Sequence, residues 1–216
     1  MQIKIKNLSK DFKKVRVVNN VTITFDSGNI YGIVGRNGSG KSVFLKMICA
    51  FYIPSEGTIC QDDYNYIENN SFPKNTRALI DGPNFISNIS GYENLKLLAS
   101  IENKISNKDI LETMRIVGLY DVRNKKYGEY SLGMKQKLGI AQVLMEKPDC
   151  IILDEPFNGI DRESVKKIKK ILLEEKNKGK LIIITSHIKD DIESLANYIF
   201  EFDCGVLKKY DKKNKL

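Results

Sequence analysis

Gly35-Arg36-Asn37-Gly38-Ser39-Gly40-Lys41-Ser42 fits the phosphate-binding pattern G-x-x-x-x-G-K-[ST]. Ahead of it, Ile30-Tyr31-Gly32-Ile33-Val34 is a short apolar run with the length of a buried strand. Behind it, Val43 to Phe51 is apolar at helical spacing. Strand, glycine loop and helix, in that order, is the setting in which the pattern carries its chemistry. Glycines let the backbone curl until several N–H groups point at one anion, and the helix N-terminus adds partial positive charge. Lys41 is then placed to reach β- and γ-phosphates, and the Ser42 hydroxyl to hold Mg²⁺. The segment implies that a nucleoside triphosphate is bound.

Outward from the loop, the chain alternates between strand and helix patterns. Upstream, Ile3-Lys4-Ile5-Lys6 and Val21-Thr22-Ile23-Thr24-Phe25 alternate apolar with polar, as half-exposed antiparallel strands do. Downstream, Thr58-Ile59-Cys60 follows a Pro-Ser-Glu-Gly turn, and Ala78-Leu79-Ile80 is a further strand candidate. From about Tyr92 to Met145 the pattern is helical: Tyr92 to Ser100, Asp109 to Val117, and a helix that begins at Ser131 and stops before Pro148. Then come the apolar strand Ile151-Ile152-Leu153, a helix from Arg162 to Lys176, the apolar strand Leu181 to Thr185, a helix from Ile188 to Ala196, and a terminal strand pair. Short apolar runs separated by helices predict an α/β fold with a mainly parallel sheet covered on both faces.

The 216 residues and 42% hydrophobic content suffice for one domain with a proper core. The net charge of +8 comes from lysines spread along the chain, which reads as a solvated exterior. The exception is Lys208 to Lys215, basic enough to fray or to lie near anionic lipid. Cys49, Cys60, Cys150 and Cys204 have no C-x-x-C spacing and read as reduced, mostly buried residues. The opening Met1 to Lys6 alternates like a strand and not like a leader, and no apolar run approaches the ~20 residues that span a bilayer. A membrane role therefore requires a partner.

Asp154 and Glu155 end the apolar strand Cys150 to Leu153, where ligands bind at the carboxyl end of a parallel sheet. Asp154 is placed for the Mg²⁺ shell and Glu155 to polarise an attacking water. His187, the chain's single histidine, ends the next apolar strand and can contact the γ-phosphate and hold that water in line. Tyr130-Ser131-Leu132-Gly133-Met134 opens a helix with a Ser N-cap, a second anion site in a chain whose loop already serves the triphosphate. Such a site makes sense against the nucleotide of a second subunit.

This order of motifs resembles the nucleotide-binding subunit of ABC transporters, nearly end to end. Gly35–Ser42 looks like the family's Walker A and Cys150–Glu155 like its Walker B with catalytic glutamate. Tyr130–Met134 looks like its L-S-G-G-Q signature, Asn158-Gly159-Ile160-Asp161 like its D-loop, and His187 like its switch histidine. The resemblance implies a P-loop NTPase fold: a RecA-like core, an N-terminal antiparallel β-subdomain, and an α-helical subdomain inserted at approximately 84–145, all within a single domain over 1–216. It implies ATP and Mg²⁺ as ligands, with Lys41, Glu155 and His187 catalytic. Phe12 would stack on the adenine, and Ser131 and Gly133 would touch the γ-phosphate across a head-to-tail dimer. It also implies a separate integral membrane subunit as partner, no nucleic acid, and a cytoplasmic place at the inner face of the membrane.

Three departures stand out. The signature reads Y-S-L-G-M, so Ser131 and Gly133 alone match in place. Val43 replaces a hydroxyl residue and weakens an α-phosphate contact. The family's Q-loop glutamine is replaced by Asp81, an acid that can still see Mg²⁺ or its water. Exporters of the bacitracin and lantibiotic self-protection type share the acid and the S-L-G-M-K-Q signature, and imply export of a peptide antibiotic or similar amphiphile. A soluble ABC-type ATPase and a low-turnover nucleotide switch are the alternatives. The first lacks its usual second half or long inserts here, and intact Lys41, Asp154, Glu155 and His187 argue against the second. A small-molecule kinase would leave the signature-like segment unexplained.

Overall fold

The computed structural model describes residues 1–210. The expectation of a lipid-facing tail falls mostly on 211–216, outside the described residues. Strands β1 (Gln2–Phe12), β2 (Val15–Asp26) and β4 (Glu56–Gln61) form an antiparallel sheet in the order β2-β1-β4. The second sheet has the order β5-β6-β7-β3-β8-β9. Its members are β3 (Ile30–Val34), β5 (Thr76–Leu79), β6 (Cys150–Asp154), β7 (Leu181–Ser186), β8 (Tyr198–Asp203) and β9 (Val206–Lys209). All its pairings are parallel except β8 with β9. β1 runs well past the Ile3–Lys6 stretch legible in the sequence because register shifts near Leu8 and Lys10 let it keep pairing with β2.

Every residue of β3, β6 and β7 is buried, which is why these strands read as unbroken apolar runs. Alternate side chains serve opposite faces. Ile151, Leu153, Ile182 and Ile184 pack with helices α2 (Gly91–Glu102), α3 (Asn107–Ile116) and α4 (Leu132–Leu144), and with α5 (Arg162–Asn177) and α6 (Lys189–Glu193). Ile152, Leu181 and Ile183 face α1 (Lys41–Ile48) and the antiparallel sheet. Each such isoleucine is fully buried, worth about 1.5–3 kcal/mol relative to exposure.

Helix starts follow the local chemistry. Ser90 with Glu93 and Ser106 with Asp109 form capping boxes for α2 and α3. Asp161 caps α5 by accepting from the Ser164 N–H at 2.9 Å. Ser131 caps α4, as its sequence position predicts, by accepting from the Met134 N–H at 3.2 Å. α6 is shorter than the pattern from Ile188 to Ala196 predicts. The Asn197 N–H donates to the Ile30 carbonyl, and Asn197 Oδ1 accepts from the Ile30 N–H, so the chain is drawn back to the sheet.

Burial pushes the Cys49 thiol up to about 12 and raises that of Cys150 further. Cys204, expected among the mostly buried cysteines, is exposed: with Gly205 it makes the two-residue turn between β8 and β9, both at positive φ.

Candidate nucleotide site

The carboxyl ends of β3, β6 and β7 lie side by side, because Val34 pairs with Ser186 and Asp154 with Thr185. The loop leaving β3 leads straight into α1. Gly40 caps that helix with φ +111° and offers no side-chain acceptor, and the first turn carries no acid. The leading N–H groups of α1 therefore keep their partial positive charge for a ligand. A side chain at Gly40 would meet the Val17 carbonyl at 2.7 Å and the Phe202 ring at 2.9 Å, so only glycine fits there. The loop is walled by the β8–β9 hairpin: the Gly205 N–H donates to the Ser39 carbonyl at 3.2 Å, and the Asn19 N–H donates to the Gly205 carbonyl at 2.8 Å. A cavity of about 190 Å³ lies over the loop, lined by Val17, Asn37, Gly38, Ser39, Gly40, Lys41, Ser42, Val43 and Glu155.

Lys41 is 5% exposed, and its ammonium donates to the carbonyls of Gly35 at 2.7 Å and Arg36 at 3.1 Å. The Ser42 hydroxyl donates to Asp154 Oδ2 at 2.6 Å. The other Asp154 oxygen accepts from the Thr185 hydroxyl, which in turn accepts from the Glu155 N–H at 3.1 Å. Glu155 leaves β6 with φ +49°, a conformation that a non-glycine residue holds only when its surroundings fix it. Its Oε2 accepts from the His187 N–H at 3.2 Å and lies 2.8 Å from His187 Nδ1. Its Oε1 is 3.6 Å from Lys41 Nζ, too far for a hydrogen bond, and has no hydrogen-bond partner although it is buried. Ser39 Oγ is in the same condition. Buried polar atoms are normally satisfied; here the Ser39 hydroxyl is free to donate to a phosphate oxygen and Glu155 Oε1 to accept from a water. The oxygens of Ser42 and Asp154 are the donor type that a hard divalent cation takes.

The structure thus brings together Lys41, Ser42, Asp154, Glu155 and His187. It does not bring Asp81 to them. Asp81 has φ +59°, and its carboxylate pairs with Lys46 at 2.5 Å, one turn along α1 from Ser42, which holds the Lys46 ammonium above its ordinary range. Phe12 lies at the end of β1, 39% exposed, edge-on against Tyr52 with ring centres 5.5 Å apart, and does not line the cavity. Ser131 and Gly133 do not line it either. The N-terminus of α4 packs instead on the loop after β6, where a Cβ on Gly133 would meet the Gly159 carbonyl at 2.8 Å.

Two contributors went unassigned in the sequence. Thr185 is hidden by its apolar run, although a hydroxyl residue among isoleucines is itself a signal. Gln136, on α4, donates to the Glu155 carbonyl at 3.3 Å.

A family described as ABC transporter matches residues 18–158. Over 97% of this chain, an uncharacterised ABC transporter ATP-binding protein of Bacillus subtilis is 41% identical, and 96% of that protein is covered. A bacitracin transport ATP-binding protein of Enterococcus faecalis is 38% identical over 91% of the chain, which spans 65% of that longer protein. A dimeric ATP-binding cassette solved in a post-hydrolysis state with ADP and phosphate shares the fold, with a TM-score of 0.87 at 22% identity, covering 99% of this chain and 100% of that one. The chain belongs to the ABC transporter family, as one of its ATP-binding and ATP-hydrolysing subunits.

Proposed function

We propose that two copies of this chain close head to tail on ATP and pass the motion to a separate membrane subunit that exports a peptide antibiotic or similar amphiphile. The observation that carries the hydrolytic part is Glu155, whose carboxylate touches His187 with one oxygen and turns the other, unpartnered, towards Lys41.

In this reading 1–216 is a single domain, with 84–145 as its helical subdomain. The N–H groups from Gly35 to Val43, with Arg36, Asn37 and Ser39 shaping the loop, take the phosphates, and Lys41 moves from the loop carbonyls to the β- and γ-oxygens. Ser42 and Asp154 hold Mg²⁺, which when bound offsets the phosphate charge. Glu155 orients a water and accepts its proton, and His187 fixes Glu155 and faces the γ-phosphate. Ser131 and Gly133, which do not line their own chain's cavity, serve the cavity of the second copy. Phe12 flanks the base.

Among the described residues no helix is long and apolar enough to cross a membrane. Export therefore requires a partner, which would hold the chain at the inner face of the membrane. A groove of about 600 Å³ runs beside β5, lined by Phe51, Phe72, Arg77, Glu102 and Gln142 among others, and suits a helix of such a partner. The bacitracin transport protein of Enterococcus faecalis supports the peptide cargo. The test is Glu155→Gln in the purified chain: ATP still binds, and turnover falls on the order of 10²-fold or more. Unchanged turnover overturns the assignment.

A further inference from the structure

Glu155 follows Asp154, the last paired residue of β6, and His187 follows Ser186, the last paired residue of β7, so the sheet ladder stops short of both. Past the ladder each continues into an irregular segment: Pro156-Phe157-Asn158-Gly159-Ile160 after Glu155, and Ile188 leading into α6 after His187. Their 2.8 Å contact requires both segments to be held in register. One side chain reaches both. Lys169 projects from the middle of α5, and its ammonium donates to Asp191 Oδ1 at 2.8 Å and to Ser194 Oγ at 3.1 Å, at the two ends of the turn that closes α6. The same ammonium lies 5.3 Å from the centre of the Phe157 ring, two residues past Glu155.

The environment makes this more than a surface contact. The side chains of Lys169 and Asp191 are 18% and 22% exposed, and Phe157 is 7% exposed. A cation with two hydrogen-bond acceptors and an aromatic face has little freedom to leave, and partial desolvation strengthens each contact. Ser194 also donates to the Asp191 carbonyl, so the two acceptors of Lys169 are tied to each other. α5 itself is pinned to the sheet by Ile168 and Leu172, which flank Lys169 and are buried in the core.

We propose that Lys169 is a positioning residue for hydrolysis: it clamps the segment after Glu155 to the helix after His187 and so keeps the pair in contact, without touching nucleotide itself. The inference rests on the reading of Glu155 and His187 as the hydrolytic pair. It predicts a loss of rate rather than of affinity, since the loop that holds the phosphates is on other elements.

The experiment uses the purified chain and measures steady-state ATP hydrolysis, nucleotide affinity and thermal midpoint for Lys169→Met, Lys169→Arg and Asp191→Asn, with Glu155→Gln beside them. Misplacing a catalytic pair from a distance costs about tenfold or more in rate. Lys169→Met should therefore lose about tenfold in kcat with KM for ATP within about twofold. Lys169→Arg should recover most of the rate, because the guanidinium can meet the same carboxylate and ring. Asp191→Asn should lose rate too, and combining it with Lys169→Met should add little, as for two members of one contact. Should Lys169→Met fail to fold, Asp191→Asn alone carries the test. Wild-type kcat in the Lys169 or Asp191 variants, alongside a dead Glu155→Gln, overturns the clamp and leaves the hydrolytic reading intact. A lowered thermal midpoint with unchanged kcat also overturns it, by assigning Lys169 to stability. Full turnover in Glu155→Gln overturns the hydrolytic reading and the clamp with it.

Discussion

Thr185→Val is a near-isosteric change at a fully buried site, so packing changes little and the hydroxyl alone is tested. In the folded chain that hydroxyl donates to Asp154 and accepts from the Glu155 N–H. Valine removes a hydrogen bond to a carboxylate, worth about 1.5–3 kcal/mol, and strands a part-buried N–H at a cost of about 1–3 kcal/mol. The two losses share one site and do not simply add, so a destabilisation of about 3–5 kcal/mol is expected. That is a large share of the roughly 5–15 kcal/mol that holds a domain folded. Function should suffer as well, because the Glu155 N–H bond helps hold the left-handed turn that aims its carboxylate at His187. Turnover should fall by about tenfold or more. Thr185→Ser keeps the hydroxyl and loses one methyl, so it should cost no more than about 1.5 kcal/mol and retain most of the turnover. Urea unfolding without nucleotide gives the first number and steady-state ATP hydrolysis the second. If the valine variant unfolds within about 1 kcal/mol of wild type and hydrolyses ATP normally, the hydroxyl is not what holds Asp154 and Glu155 in place.

Two further outcomes follow from the placement of the remaining residues. Gly133→Asp chains should not hydrolyse ATP alone, yet mixing them with Lys41→Ala chains should return partial turnover, because each mixed dimer keeps one intact composite site. Normal hydrolysis by Gly133→Asp alone would end the cross-copy role, and a Gly133→Ala melting control separates it from the close Gly159 contact within one chain. Asp81→Gln should leave stability nearly unchanged, since its pair with Lys46 is largely exposed on the acid side and such pairs are worth at most about 1 kcal/mol. Mg²⁺-ATP should bind at least as tightly, while partner-stimulated hydrolysis falls; Asp81→Gln and Asp81→Ala both matching wild type in both assays would reduce Asp81 to a turn residue.

The parts of the site that were legible in the sequence are those written locally. A glycine loop between an apolar strand and an apolar helix, or two carboxylates ending an apolar run, announce themselves through spacing and periodicity. Contacts between distant segments were not written that way. Nothing near Asp81 in the chain says that its left-handed backbone and short side chain direct it to Lys46 instead of towards Ser42 and Asp154. Phe12 was marked by its position, yet its ring rests on Tyr52, far along the chain. Cys204 lies beside two apolar runs, which suggests burial, but a two-residue hairpin turn puts it in solvent. Thr185 was masked by the isoleucines that precede it. The two-sheet division was visible in outline, because alternation upstream and unbroken apolar runs downstream mark different strand environments.

The hairpin behind the phosphate loop has a consequence for how the site comes into being. Ser39 is made early, but the Gly205 N–H that binds its carbonyl and the Phe202 carbonyl that crowds Gly35 are made much later. A ribosome adds about 5–20 residues per second, so the loop waits on the order of ten seconds for its wall. During that interval the strand–loop–helix unit is complete in sequence and open on one side. The wall of the loop is thus completed only after the sheet has received its last parallel strand, and a nascent chain stalled before Gly205 would carry the motif without that wall.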